Sequence, residues 1–290
     1  MSDRYVRVEN RGAFWLAAGR PHPALRPFLA AYDGYWESVP APSRMRTLPT
    51  RHTVMIINLG PPLRLHVPDP GAAPAVYGPF IAGMHDGHGM YEHEGGQRGV
   101  QLDLTPLGAY TLLGVPMGEL TNRAVDLADV LGPEVPRLVG RLQDAAGWAE
   151  RFDLLDAFLL GRLEIGPSPD PEVREAWRLL DTTCGRTPVA ALAGEVGWSR
   201  KHLTHRFKEQ VGLSPKVMAR VLRFQHAVEL MSAPFDRQGV PSWVDLAVTC
   251  GYYDQAHLNR EFRALAGCTP TELLAGQAPE YLTTTAREAS

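Results

Sequence analysis

Two hydrophobic patterns divide the chain. In the first hundred or so residues the apolar positions come in short runs, at 53–59, 63–67, 75–82 and 99–104, each bounded by glycine, proline or other turn residues. Runs of this length predict strands. Val100, Leu102 and Leu104 alternate with Gln101 and Asp103, the pattern of a strand buried on one face. After Pro106 the period becomes helical. Trp148, Phe152, Leu155, Phe158, Leu159 and Leu163 then recur at three- and four-residue steps, a stripe read as core against the sheet, with a dimer seam as the alternative. Residues 166–171 hold three prolines in six positions, cannot be helical and read as a stiff, solvated linker. Beyond it nearly everything is helical. Pro171 suits the first turn of a helix reaching Asp181, and Ser214 with Pro215 opens a long helix to about Met231, before Pro234. The fold class expected is therefore α+β in two domains. Residues 1–165 form a β-rich, then helical domain, a β-barrel or sandwich with packed helices. Residues 166–171 are the linker, 172–276 an all-α domain, and 277–290 a tail expected to be disordered.

Composition adds little to this except at one place. A chain of 290 residues with 44% hydrophobic and 21% charged residues suits two ordinary globular domains. No uncharged apolar stretch reaches membrane-spanning length, and Asp3, Arg4, Arg7 and Glu9 deny the N-terminus a signal core, so a cytoplasmic protein with no membrane partner is expected. Cys184, Cys250 and Cys268 make neither a disulfide framework nor a four-ligand zinc site and read as small core hydrophobes. The net charge of −3 conceals an asymmetry: residues 1–171 carry 15 basic and 19 acidic residues, residues 172–275 carry 13 and 11. Within 199–223 seven residues are basic and only Glu209 is acidic, a local positive field.

That segment is half of a repeat. At an offset of 55, His202, Leu203, Phe207, Gly212 and Pro215 fall on His257, Leu258, Phe262, Gly267 and Pro270. At an offset of 54, Leu192, Ala193 and Gly197 fall on Leu246, Ala247 and Gly251; the one-residue difference lies in the turn. Each copy has the parts of a helix-turn-helix: a short apolar helix with a small alanine, a glycine for the sharp turn, and Ser199 or Asp254 to cap the second helix. The pairs Leu203/Phe207 and Leu258/Phe262 bury one face of that second helix. The opposite face then carries Lys201, Thr204, His205 and Lys208 in the first copy, and Ala256, Asn259, Arg260 and Arg263 in the second. Arginine can bind guanine and asparagine adenine through paired hydrogen bonds, while alanine or a threonine methyl can meet thymine. Lys201, Thr204, His205, Asn259 and Arg260 are the candidate base readers. Arg200, Lys208, Gln255, His257 and Arg263 are candidate phosphate contacts.

With these residues in view, the stretches 198–215 and 251–270 resemble the signature of the AraC/XylS family of transcription regulators. The resemblance covers about a hundred residues, 171–275. It implies a seven-helix domain whose long helix joins two helix-turn-helix units. Both recognition helices would enter successive major grooves about 34 Å apart. Ala256 departs from the pattern towards a side chain with little to read. The implied partners are double-stranded promoter DNA, a second copy of the chain and, as a further candidate, RNA polymerase. In this family the other domain often senses a small molecule or mediates dimerisation, and is often cupin-like.

The first domain offers weaker signals. His85, His88 and His93 fall within nine glycine-rich residues together with Tyr91, a loop that lines a ligand site or is simply solvated. Tyr35 and Trp36 join them as candidate ligand contacts, though with Tyr32 they also read as core. The histidine spacing is not that of metal cupins, and nothing resembles a nucleophile elbow, a phosphate loop or a catalytic triad. No catalytic residue, metal or cofactor is therefore assigned, and the chain is read as a regulator rather than an enzyme. The alternatives are a metal-dependent cupin-type enzyme with a DNA-binding domain attached, and a regulator without an effector.

Overall fold

The computed structural model describes residues 7–11, 14–37, 41–68, 71, 73–232 and 242–276, so the 277–290 tail and Pro234 lie outside the described residues. Among the described residues the first part of the chain holds eleven strands: β1 (Arg7–Arg11), β2 (Phe14–Ala18), β3 (Leu29–Glu37), β4 (Ser43–Thr47), β5 (Thr53–Asn58), β6 (Leu63–His66), β7 (Ala75–Tyr77), β8 (Phe80–Ala82), β9 (Gly89–His93), β10 (Arg98–Leu104) and β11 (Ala124–Asp126). They form two antiparallel sheets, ordered β1-β2-β3-β10-β5-β8-β11 and β4-β9-β6-β7. Strand β10 is central, paired to β3 on one side and β5 on the other. Val100, Leu102 and Leu104 are fully buried towards the helices as the alternation predicts, but the opposite face is not solvated: Asp103 is buried and Gln101 half-buried, because the strand is central. The sheets meet through Ile56 and Phe80 of one and Leu63, Leu65 and Tyr91 of the other. Among the described residues the two ladders are separate, a sandwich of two sheets and not a closed barrel.

The apolar run at 75–82 is two strands. Gly78 and Pro79 interrupt it, and β7 pairs in one sheet while β8 pairs in the other. Helices α1 (Pro106–Leu113), α2 (Leu127–Leu131), α3 (Glu134–Asp144) and α4 (Trp148–Ile165) cover the outer face of the larger sheet. On α4, Phe152, Leu155 and Leu159 are buried in that core, with Trp148, Phe158 and Leu163 packed at its edge, so the stripe faces the sheet. The aromatic trio lies in the same region. Tyr32 is buried, and Trp36 is stacked between Trp15 and Trp148 at 5.8 and 5.6 Å.

Seven helices follow among the described residues: α5 (Pro171–Thr182), α6 (Val189–Glu195), α7 (Arg200–Val211), α8 (Pro215–Ser232), α9 (Trp243–Thr249), α10 (Gln255–Ala266) and α11 (Pro270–Gly276). They enclose their own core, built on Leu203, Phe207, Phe224, Leu258 and Phe262. Residues 166–170 between α4 and α5 are less solvated than their prolines suggest. Asp170 donates its N–H to Gln210 of α7 at 2.9 Å, and any side chain at Gly166 would strike the carbonyl of Thr111. The helical core also takes in Met84, a fully buried residue from the sheet region. No described helix is long and apolar enough to cross a membrane.

Candidate nucleic-acid interface

Each helix-turn-helix is built as its sequence dictates. Gly197 and Gly251 turn the chain at φ of 69° and 76°, the left-handed region that a Cβ disfavours. Ser199 then accepts from the His202 N–H at 3.2 Å, and Asp254 from the His257 N–H at 2.7 Å, capping α7 and α10. Leu203, Phe207, Leu258 and Phe262 are all fully buried, and Phe224 of α8 meets Phe262 edge-on at 4.8 Å. The polar faces are thereby fixed outwards.

On α7, Arg200, Lys201, His205 and Lys208 are exposed, while Thr204 is half-buried with its hydroxyl donating to the Arg200 carbonyl at 2.7 Å. On α10, Gln255, Ala256, Arg260 and Arg263 are exposed and Asn259 is half-buried. His257 differs: its Nδ1 accepts from the Tyr253 N–H and its ring meets Tyr252 edge-on, so it is engaged within its own turn. Sequence reasoning overlooked the surroundings of Ala256. Val244, Val248 and Tyr253 are exposed apolar residues that line a shallow groove with Gln255, Ala256 and Asn259. The i, i+4 spacing of Val244 and Val248, off the buried face of Leu246 and Ala247, was the available signal.

The positive field is smaller than the residue count. Of the seven basic residues in 199–223 three are engaged internally. Arg206 binds Asp170 and Glu209, Arg220 binds Glu261 at 2.9 Å, and Arg223 donates to the Gly185 carbonyl at 3.0 Å. Hydrogen bonding to their carboxylate partners raises the pKa of Arg206 and Arg220, and the bond from Arg206 lowers that of Asp170. Arg200, Lys201, Lys208 and Lys216 remain exposed.

The candidate ligand residues of the other domain separate. His85 and His88 lie on the segment before β9, and His88 faces the helical part, where a Cβ on Gly267 would sit 2.6 Å from its ring. Burial lowers the pKa of both, with nearby Arg46 adding to the effect on His88. His93 ends β9 at its other extremity, buried 3.3 Å from Glu37 and stacked on Tyr91. Residues 89–93 are thus strand, not loop. Tyr35 packs against Gly99, and burial raises its pKa. No group of three or more metal-binding side chains occurs among the described residues. Of the cysteines, Cys250 is core, its thiol pushed up to about 12 by burial; Cys268 is half-buried and touches Arg46 at 3.1 Å.

Comparison with known proteins matches residues 192–276 to a helix-turn-helix domain family, and residues 18–126 to a domain of unknown function, DUF6597. The arabinose operon regulatory protein of Escherichia coli (strain K12) is 27% identical over 157 residues, covering 50% of this chain and 52% of that protein. The chain thus spans about half the length of the curated relative it matches. Among solved structures, an AraC-type DNA-binding-domain regulator from Chromobacterium violaceum is 27% identical, with a TM-score of 0.32 over 36% of this chain and 90% of that one. ToxT from Vibrio cholerae is 11% identical, with a TM-score of 0.47 over 81% of this chain and 98% of that one.

Proposed function

We propose that this chain is a sequence-specific DNA-binding transcription regulator of the AraC/XylS family and not an enzyme, a reading supported by the match of residues 192–276 to a helix-turn-helix domain family. The observation that carries the reading is the pair of recognition helices, α7 and α10. Each buries a Leu/Phe pair completely and turns a polar face to solvent. A surface helix of that build, repeated once and tied by α8, suits two successive major grooves of one duplex. Lys201, Thr204, His205, Asn259 and Arg260 would meet base edges, and Arg200, Lys208, Gln255 and Arg263 phosphates. His257 belongs with them only through its turn. The apolar groove beside Ala256 suits a thymine methyl, which supplies that position with something to read.

In this reading the division falls at 166–171, with 1–165 the controlling domain and 172–276 the DNA-binding domain of a cytoplasmic, dimeric protein acting with RNA polymerase. Control enters through the first domain, by a small-molecule effector or by dimerisation. Its support is the direct packing of that domain on the recognition helices. Tyr35, Trp36, His85, His88, Tyr91 and His93 keep their standing as ligand candidates only as separate groups: Trp36 lies between Trp15 and Trp148, His93 against Glu37 and Tyr91, and His88 against Gly267.

Selection from a randomised duplex library with the full chain tests the function. Enrichment of a two-part motif, bound with an affinity that falls steeply with salt, is expected. Recovery of no motif at low salt would sink it.

A further inference from the structure

The recognition helices α7 and α10 end at Gly212 and Gly267, positions that coincide in the 55-residue repeat. One face of the sheet domain reaches both ends. At the first, Thr121 donates its hydroxyl to the Gly212 carbonyl at 2.5 Å, beside Met84. At the second, Arg46 donates to the Ala266 carbonyl at 3.0 Å, beside His88. Both acceptors lie where a helix leaves its carbonyls without intrahelical partners, and where its dipole favours a cation. A third contact falls on the helix between the units. The Arg51 N–H donates to Gln225 of α8 at 2.9 Å, and its guanidinium binds Glu229 of α8 and Asp181 of α5.

The points of contact belong to one rigid piece. Strand β4, which carries Arg46, pairs with β9 so that Thr47 lies opposite Gly89, next to His88. The segment holding Met84 is laced to that holding Thr121: Asn122 donates its N–H to the Met84 carbonyl and its side-chain amide to Asp86, whose own N–H it accepts. A Cβ on Gly83 would strike the Leu120 carbonyl, so the two segments are in close contact.

Resting on the DNA-binding reading, we propose that Arg46 and Thr121 are positioning residues for DNA recognition. They hold the far ends of the two recognition helices at a fixed separation, so that the sheet domain sets the spacing between half-sites that the protein accepts. Gln255 and the base readers Asn259 and Arg260 occupy the first two turns of α10, and Arg46 grips the last. Loss of the grip therefore leaves each half-site contact in place and frees only the relation between them. The segment at 84–88, a ligand-loop candidate in the sequence, is in this reading a strut between the domains.

The test is a library selection repeated with full-length Arg46→Ala/Thr121→Val, followed by affinities for the wild-type two-part site and for each half-site alone. The wild type should enrich one spacing. The double variant should spread over neighbouring spacings and bind the two-part site about 10-fold more weakly, while half-site affinities stay within about twofold, the conversion being about 1.4 kcal/mol per decade. Thr121→Val alone, nearly isosteric and safe for folding, should move in the same direction, and Arg46→Lys should restore much of the spacing preference. An unchanged spacing distribution would overturn the proposal while leaving DNA binding intact, and so would an equal loss on whole and half sites. Failure of both proteins to enrich any motif would remove the DNA-binding reading and this proposal with it.

Discussion

Arg206 on the first recognition helix holds the Asp170 carboxylate through two nitrogens, at 2.8 and 3.0 Å, and so ties the interdomain segment to α7. The pair is bidentate and about 70% shielded, the geometry in which an ion pair contributes measurably. Asp170→Asn should cost roughly 0.5–1 kcal/mol of stability at pH 7. The folded state lowers the pKa of Asp170, so this contribution is present above the ordinary carboxylate range and disappears as pH falls through the folded value. Thermal unfolding of wild type and variant from pH 7 to pH 3 checks it: the two curves should converge at the acid end.

Arg260 is exposed on the face of α10 that points away from its buried Leu258 and Phe262. Arg260→Ala should cost about 1–3 kcal/mol on the specific site and relax base preference at one position. Competition binding against sites mutated base by base measures this. A uniform loss on all sequences would make Arg260 a phosphate contact.

Lys208 is exposed at the end of α7, its stem lying along Gly118 of the sheet domain. Such a placement suits a phosphate and not a base edge. Lys208→Ala should weaken binding to all sequences alike and reduce the slope of log affinity against log salt by about one. A salt titration with specific and scrambled duplexes decides it.

Asp103 gives a pH dependence of the opposite sign. It sits in the central strand, 2% exposed, with Gln101 donating to it at 2.9 Å, and burial raises its pKa to about 6. Between the unfolded value near 3.8 and about 6 the native state holds the extra proton, so stability falls as pH rises through that window. Asp103→Asn should remove the penalty, on the order of 3 kcal/mol from the size of the shift. The variant should be more stable than wild type at pH 7.5 and equal to it near pH 4 in urea unfolding; equal stability at both would refute the assignment.

What the sequence determined by itself is what short-range chemistry specifies. Alternation at Val100, Leu102 and Leu104, the caps Ser199 and Asp254, the turn glycines Gly197 and Gly251 and the buried Leu/Phe pairs each depend on neighbours within a few residues, and repetition at a fixed offset doubled the signal. The exposed faces of α7 and α10 followed from helical period alone. Tertiary structure decided what depends on residues far apart in the chain. Arg206 and Arg220 counted as free positive charge until folding placed Asp170 and Glu261 beside them. The segment 84–88 is the loop its glycines implied, but its packing was not legible, because the glycine that His88 meets lies some 180 positions away, at Gly267. Arg46 carried no sequence signal at all: its partner is the backbone carbonyl of Ala266, a group every residue has, and only the docking of the two domains selects that one.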